Sequence, residues 1–245
     1  HAFAAESDSL AVVTSSEELK RVLRSREDDS KLIAGLLGTE GSHALDGDLD
    51  NIKRLYDAGF RMMSLQHFFD NKLGGSLHGE SNAGLTEFGR EAVRLMDSMG
   101  IMIDVSHSSP QVVDDVLNLI DSPLIVSHTG FKGHCDRKRN ISDDLIMRIS
   151  ERGGVMGVGF WSEAVCGTDV TAIADAIAYG VETFGVEAVA LGSDWDGAVT
   201  TPIAANDLAY LTSALLKRGL SEDDIRAVMG GNTVRYFLEH LPATD

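Results

Sequence analysis

Ile101-Met102-Ile103-Asp104-Val105-Ser106-His107 and Leu124-Ile125-Val126-Ser127-His128 say nearly the same thing twice. Each is a short apolar run rich in β-branched residues that ends on Ser-His. A run of that length between turn residues reads as a strand buried on both faces, as in a parallel sheet. The helical pattern from Ser109 to Ile120 between them supplies the crossover. Two histidines therefore leave two strands at the same end, and in a barrel that end carries the chemistry. A metal pair at His107 and His128 is the first expectation.

The same alternation extends outward in both directions. Thr14-Ser15-Ser16-Glu17-Glu18 opens a helix to about Ser25, with a hydroxyl cap followed by acids in the first turn. Lys31 to Gly38 reads as a strand, Asp46 to Ala58 as a helix closed by Gly59, and Phe60 to Leu65 as a strand ending on Gln66-His67. A long Gly- and Asn-containing loop runs through Asn82, of a length that marks function or mobility. Leu85 to Met99 is an amphipathic helix. Beyond His128, Ser142 caps a helix to Arg152, Gly154 to Phe160 is a strand, Asp169 to Phe184 a helix, and Ala188 to Ser193 a last strand. Two or three helices follow, one well capped at Ser221. His1 to Ala5 reads as the middle of a strand.

This repeated strand and helix order predicts one α/β domain over residues 1–245, a (β/α)8 TIM-type barrel, with a doubly wound open sheet as the alternative. No Gly-x-Gly-x-x-Gly or phosphate-loop pattern supports a nucleotide fold. With 43% hydrophobic and 24% charged residues the chain has an ordinary globular composition, and its net charge of -17 argues against nucleic acid or an anionic membrane as partner. No apolar run is long enough to span a bilayer. Cys135 and Cys166 stand alone, which reads as two free thiols in a reducing compartment and hence a cytoplasmic location.

Five strands end in a titratable or metal-capable residue: Glu40, His67, His107, His128 and Asp194. Imidazole and carboxylate together suit zinc, which activates water for attack on a carbonyl, and a nearby carboxylate such as Asp194 can shuttle the proton. His43 and His78 lie in loops and read as solvated. Arg139 sits in a basic loop of an acidic protein, where it either grips a substrate carboxylate or pairs with a surface acid, and spacing does not choose. Trp161 and Trp195, just past strand ends, either wall a pocket or pack.

Taken together, Leu36-Leu37-Gly38-Thr39-Glu40-Gly41-Ser42-His43, Gly84-Leu85-Thr86-Glu87-Phe88-Gly89, Ile103 to His107, Ile125 to His128, Arg139-Asn140 with Asp143-Asp144, and Leu191-Gly192-Ser193-Asp194-Trp195-Asp196-Gly197 resemble the membrane (renal-type) dipeptidases over about Lys31 to Glu239. That family consists of zinc-dependent hydrolases with an amidohydrolase-like barrel. The resemblance implies that Glu40 bridges two zinc ions and that His107 and His128 complete one of the two metal sites. It further implies that His67 polarises the substrate carbonyl, that Arg139 holds the free carboxylate, and that Asp194 is the acid and base. The substrate would be a small dipeptide, with D-residues accepted at its C-terminal position.

The family opens with a strand ending in His-x-Asp that completes the second metal site, and this sequence has none in the corresponding place. His134-Cys135-Asp136 has the spacing but follows His128, so the role does not transfer to it. The given chain is therefore expected to lack the first strand. Other amidohydrolase activity on N-acyl or cyclic amides, or a metal-poor scaffold, are the alternatives, and a homodimer is the oligomeric state kept open.

Overall fold

The computed structural model describes residues 2–244. Eight strands, β1 (Leu10–Val12), β2 (Ile33–Gly35), β3 (Leu37–Thr39), β4 (Phe60–Ser64), β5 (Met102–Asp104), β6 (Ile125–Thr129), β7 (Val155–Val158) and β8 (Val189–Leu191), pair only in parallel. β1 and β2 form one sheet, and β3 to β8 form the other in strict sequence order. Only Leu36 separates β2 from β3, so one run of chain serves both sheets. Sequence order with parallel pairing is what successive βα units produce, and the arrangement is that of a (β/α)8-type barrel. β3 and β8 are the two ends of the larger sheet.

The principal helices are α1 (Ser16–Asp28), α2 (Asp50–Asp57), α3 (Glu87–Ser98), α4 (Pro110–Leu119), α5 (Asp143–Ser150), α6 (Val170–Phe184), α7 (Leu208–Lys217) and α8 (Asn232–His240). Their starts follow side-chain chemistry. Ser15, Thr86, Ser109 and Asp169 each accept a hydrogen bond from a first-turn backbone N–H, as capping residues do. Ser221 and Asp224 form a reciprocal capping box. Ser142 differs from expectation, because its hydroxyl makes no capping bond. Asp143 anchors the preceding loop there, accepting from Gly133 N at 2.9 Å and from the Tyr179 hydroxyl.

Residues i and i+2 of a strand share a face, and that alternation divides the core. Met63, Ile103, Val126, Met156 and Val189 point outward into the large core shared with the helices. Met62, Met102, Ile125, Val155 and Ala190 point the other way and pack with Leu19, Tyr236 and Leu241. This inner layer is an apolar floor, closed by Tyr236, whose hydroxyl donates to Pro123 O at 2.9 Å. Two residues further along the strands the inward positions are Ser64, Asp104, Ser127, Gly157 and Gly192. Polarity thus begins directly above the floor, toward the C-terminal strand ends.

Several sequence expectations are corrected. The strand read as Lys31 to Gly38 divides into β2 and β3, which are half-exposed, with Ile33 57% exposed, whereas β5 and β7 are buried throughout. β2 and β3 lie at sheet ends, where one flank has no neighbouring strand. Ala2–Ala5 is a short helix and not strand; alanine favours helix and lacks the branching that strands favour, and His1 lies outside the described residues. The helix read from Asp46 begins only at Asp50, since Asp46 and Gly47 have φ of 47° and 76° after a 3-10 turn at Ser42–Leu45.

Cys135 and Cys166 are not free thiols but a disulfide, with Cα atoms 5.5 Å apart. Cys135 follows β6 and Cys166 follows the short helix Ser162–Val165 after β7. Pairing of β6 with β7 brings the two loops together, which 31 residues of separation conceal. Cys166→Ser is expected to lower the unfolding free energy by about 3–4 kcal/mol, the loop-closure entropy of a bridge of this span. Urea denaturation of the variant beside the parent measures it, and coincident transitions would mean that the bridge contributes nothing.

Candidate metal centre

The strand ends deliver five side chains to one place. Glu40 stands one residue past β3, and its Oε1 lies 3.1 Å from His107 Nε2, 3.3 Å from His128 Nε2 and 3.6 Å from His67 Nε2. His107 Nε2 and His128 Nε2 are 2.9 Å apart. Glu40, His107 and His128 offer ligand atoms that all lie within 4.8 Å of one another.

Regular strand geometry alone would not aim these rings together. His107 has φ of 62° and Asp194 has φ of 59°, a left-handed conformation that costs energy in non-glycine residues and gathers at functional sites. Leu77 N donates to His107 O at 2.7 Å, holding that turn from the long loop above. His128 follows the inward-facing Ser127 and by strict alternation would face outward. The β6–β7 register shifts between Val126 and Thr129, and such irregularities re-aim side chains.

The long loop after β4 is well built. Asp70 accepts from Ser76 N at 2.7 Å, Ser81 N at 3.0 Å and Glu80 N at 3.1 Å, bonds that hold its carboxyl below the usual range. It carries Phe68 and His78 over the site, where the His78 ring centroid lies 5.4 Å from that of His107. His78 is half-buried rather than solvated, and burial lowers its pKa. His43 is exposed, as expected.

Electrostatics agree with a cationic occupant. Contact with the imidazoles of His107 and then His128 holds the Glu40 carboxyl far below its ordinary value. Burial pushes His107 down to about 4, so this ring and the Glu40 carboxylate present electron pairs near neutrality. Three donors converging from a carboxylate and two imidazoles form a set that fits zinc. Across a cavity of about 370 Å³, Asp194 faces Glu40 and His128, and burial raises its carboxyl. Gly197 permits this placement, because a Cβ there would lie 2.4 Å from Asp194 Oδ1.

Arg139 is 7% exposed and not a surface residue. Its Nη2 donates to His128 O at 3.0 Å, its guanidinium lies 5.4 Å from the Trp161 ring, and its Nη1 has no partner among the described residues. Desolvation lowers its pKa to about 10, partly offset by Asp194 and Asp104. Trp161 packs between His128 and Arg139, whereas Trp195 packs on Phe160 and donates to Ile203 O at 2.8 Å. Asn140 ties the two loops, its Nδ2 donating to Cys135 O at 2.7 Å and to Glu163 O and Ala164 O at 3.1 Å.

Asp104 and Ser127 were not singled out from the sequence, although a carboxylate inside an otherwise apolar strand was the available signal. His134 and Asp136 belong to none of the metal-donor groups among the described residues.

A sequence model of the membrane dipeptidase family, peptidase family M19, matches residues 1–241. Dipeptidase aclJ of Aspergillus oryzae (strain ATCC 42149 / RIB 40) is 33% identical over 221 residues, covering 85% of this chain and 52% of that protein. The chain thus spans about half the length of that curated relative. An amidohydrolase from Pseudomonas aeruginosa is similar in structure with a TM-score of 0.84 and 25% identity, over 97% of this chain and 80% of that one. A metallo peptidase from Rhodobacter sphaeroides, solved with a phosphinate mimic of the dipeptide L-Ala-D-Ala, gives a TM-score of 0.83 and 25% identity over 97% and 70%. By sequence and by fold, this chain belongs to the membrane dipeptidase family, peptidase family M19.

Proposed function

We propose that the protein is a zinc-dependent dipeptidase, and the observation that carries this reading is the convergence of Glu40, His107 and His128 at the C-terminal strand ends. These three residues would hold zinc. Zinc bound there supplies Lewis-acid activation of water and of the scissile carbonyl. Family resemblance carries two zinc ions. Glu40 would be the carboxylate shared between them, with His107 and His128 holding one of the two.

The remaining groups would measure and turn over a dipeptide. Arg139, whose buried Nη1 has no partner among the described residues, would hold the free carboxylate. His67, less buried than the other two rings, would donate to the developing oxyanion. Asp194, with its carboxyl raised by burial, would take the proton from water and pass it to the leaving amine. The Rhodobacter sphaeroides relative binds a mimic of L-Ala-D-Ala, which supports a D-residue at the C-terminal position here.

No helix among the described residues is long and apolar enough to cross a membrane. The Cys135–Cys166 disulfide favours an oxidising compartment over the cytoplasmic location expected from free thiols.

The test is turnover by the zinc-loaded protein of L-Ala-D-Ala, L-Ala-L-Ala, a tripeptide and an N-acyl amino acid. Both dipeptides should be cleaved and the others spared. Asp194→Asn should lower kcat by about 10²–10⁴-fold, the usual worth of a general acid and base. Preference for the N-acyl substrate would sink the dipeptidase reading in favour of another amidohydrolase.

A further inference from the structure

We infer that Asp104, acting through Ser127, is the positioning residue that fixes the His128 proton on Nδ1 and presents Nε2 to the metal as a free electron pair. This rests on the zinc reading above for its purpose, but not for its geometry.

A count of protons carries the inference. Asp104 is 2% exposed, at the inward layer just above the apolar floor. Its Oδ1 accepts from Ser106 N at 2.9 Å and Ser127 N at 3.0 Å, and its Oδ2 lies 2.6 Å from Ser127 Oγ. A carboxylate oxygen only accepts, so the single hydroxyl proton of Ser127 goes to Asp104. Ser127 Oγ is also 2.9 Å from His128 Nδ1 and 3.0 Å from Ser106 Oγ. With its own proton spent, Ser127 can only accept from both. His128 Nδ1 must therefore carry hydrogen, and Nε2 is left as the lone pair that faces Glu40 and His107.

Ser106 closes the network, since its Oγ accepts from His128 N at 3.2 Å. The ring is thus held from the backbone and from Nδ1 at once. His107 lacks such support, its buried Nδ1 having no partner among the described residues. Of the two histidines, His128 is the one whose tautomer and orientation are preset. A carboxylate behind a ligating imidazole, here relayed by one hydroxyl, also strengthens the ring as a donor.

Asp104→Asn makes the inference testable. The two backbone N–H groups require an oxygen at the Oδ1 position, which turns the amide NH2 of the variant toward Ser127. Ser127 must then accept from the amide and donate to His128 Nδ1, reversing the relay and moving the ring proton to Nε2. The expected result, read from long-range ¹H–¹⁵N imidazole correlations at pH 8.5 in zinc-free protein, is a pyrrole-type Nδ1 for His128 in the parent and a pyrrole-type Nε2 in Asp104→Asn. Zinc affinity, measured by chelator competition, should fall by about 10–100-fold in Asp104→Asn and in Ser127→Ala, the usual cost of losing a ligand's supporting partner. Ser127→Thr keeps the hydroxyl and should restore both readings.

Should Asp104→Asn fail to fold, the Ser127→Ala and Ser127→Thr pair carries the same test. An unchanged His128 tautomer in the Asp104→Asn or Ser127→Ala variant overturns the inference, as does zinc affinity within about threefold of the parent in both. A parent that binds no zinc yet shows the Nδ1–H tautomer sinks the zinc reading while the relay stands.

Discussion

Glu40→Gln is expected to remove dipeptide hydrolysis, by about 10³-fold or more, and to weaken zinc binding beyond the roughly 10–100-fold that loss of a ligand's supporting partner costs. The reason is local. Glu40 Oε1 lies within 3.6 Å of Nε2 of all three imidazoles, and it brings the only negative charge of the Glu40, His107, His128 donor set. An amide keeps the shape but loses that charge, and its NH2 is a hydrogen donor set against ring nitrogens. Glu40 is half-exposed, so the fold should survive the change. Circular dichroism and zinc titration of the variant separate lost metal from lost structure. Retained zinc and retained turnover would remove Glu40 from the centre.

Arg139→Ala is expected to cost about 2–5 kcal/mol in kcat/KM for a dipeptide, roughly 30- to 5,000-fold, mostly through KM, because a buried guanidinium paired with a substrate carboxylate would be lost. Stability should move the other way or not at all. Arg139 is a desolvated cation whose Nη1 has no partner among the described residues, so its removal relieves a burial cost that offsets the lost bond to His128 O. A dipeptide amide, which lacks the carboxylate, should be cleaved equally poorly by parent and variant. A variant that loses activity equally on the dipeptide and its amide would show Arg139 to be structural.

Residues differ in how far the sequence alone revealed them. Where a strand is covered on both faces, as β5, β6 and β7 are, its apolar run and closing Ser-His could be read directly, and so could the end of the barrel that bears Glu40, His107, His128 and Asp194. The Cys135–Cys166 bridge could not, because it depends on which loops β6–β7 pairing makes neighbours. Burial of Arg139 was equally hidden, since a basic loop in a chain of net charge -17 looks like solvated surface until Trp161 and Asn140 fold it inward. The aim of His107 and His128 depends on a positive φ and a register shift, neither of which leaves a composition signature. Asp104 did leave one, as a carboxylate inside an otherwise apolar strand.

Zinc stoichiometry tests the central claim most directly. Purified protein, stripped with chelator and re-equilibrated with zinc, should bind on the order of one ion or more per chain and regain dipeptide hydrolysis in proportion. A His107→Ala/His128→Ala variant handled in the same way should do neither. Equal zinc content in parent and variant, or hydrolysis that persists in the stripped protein, would contradict the account.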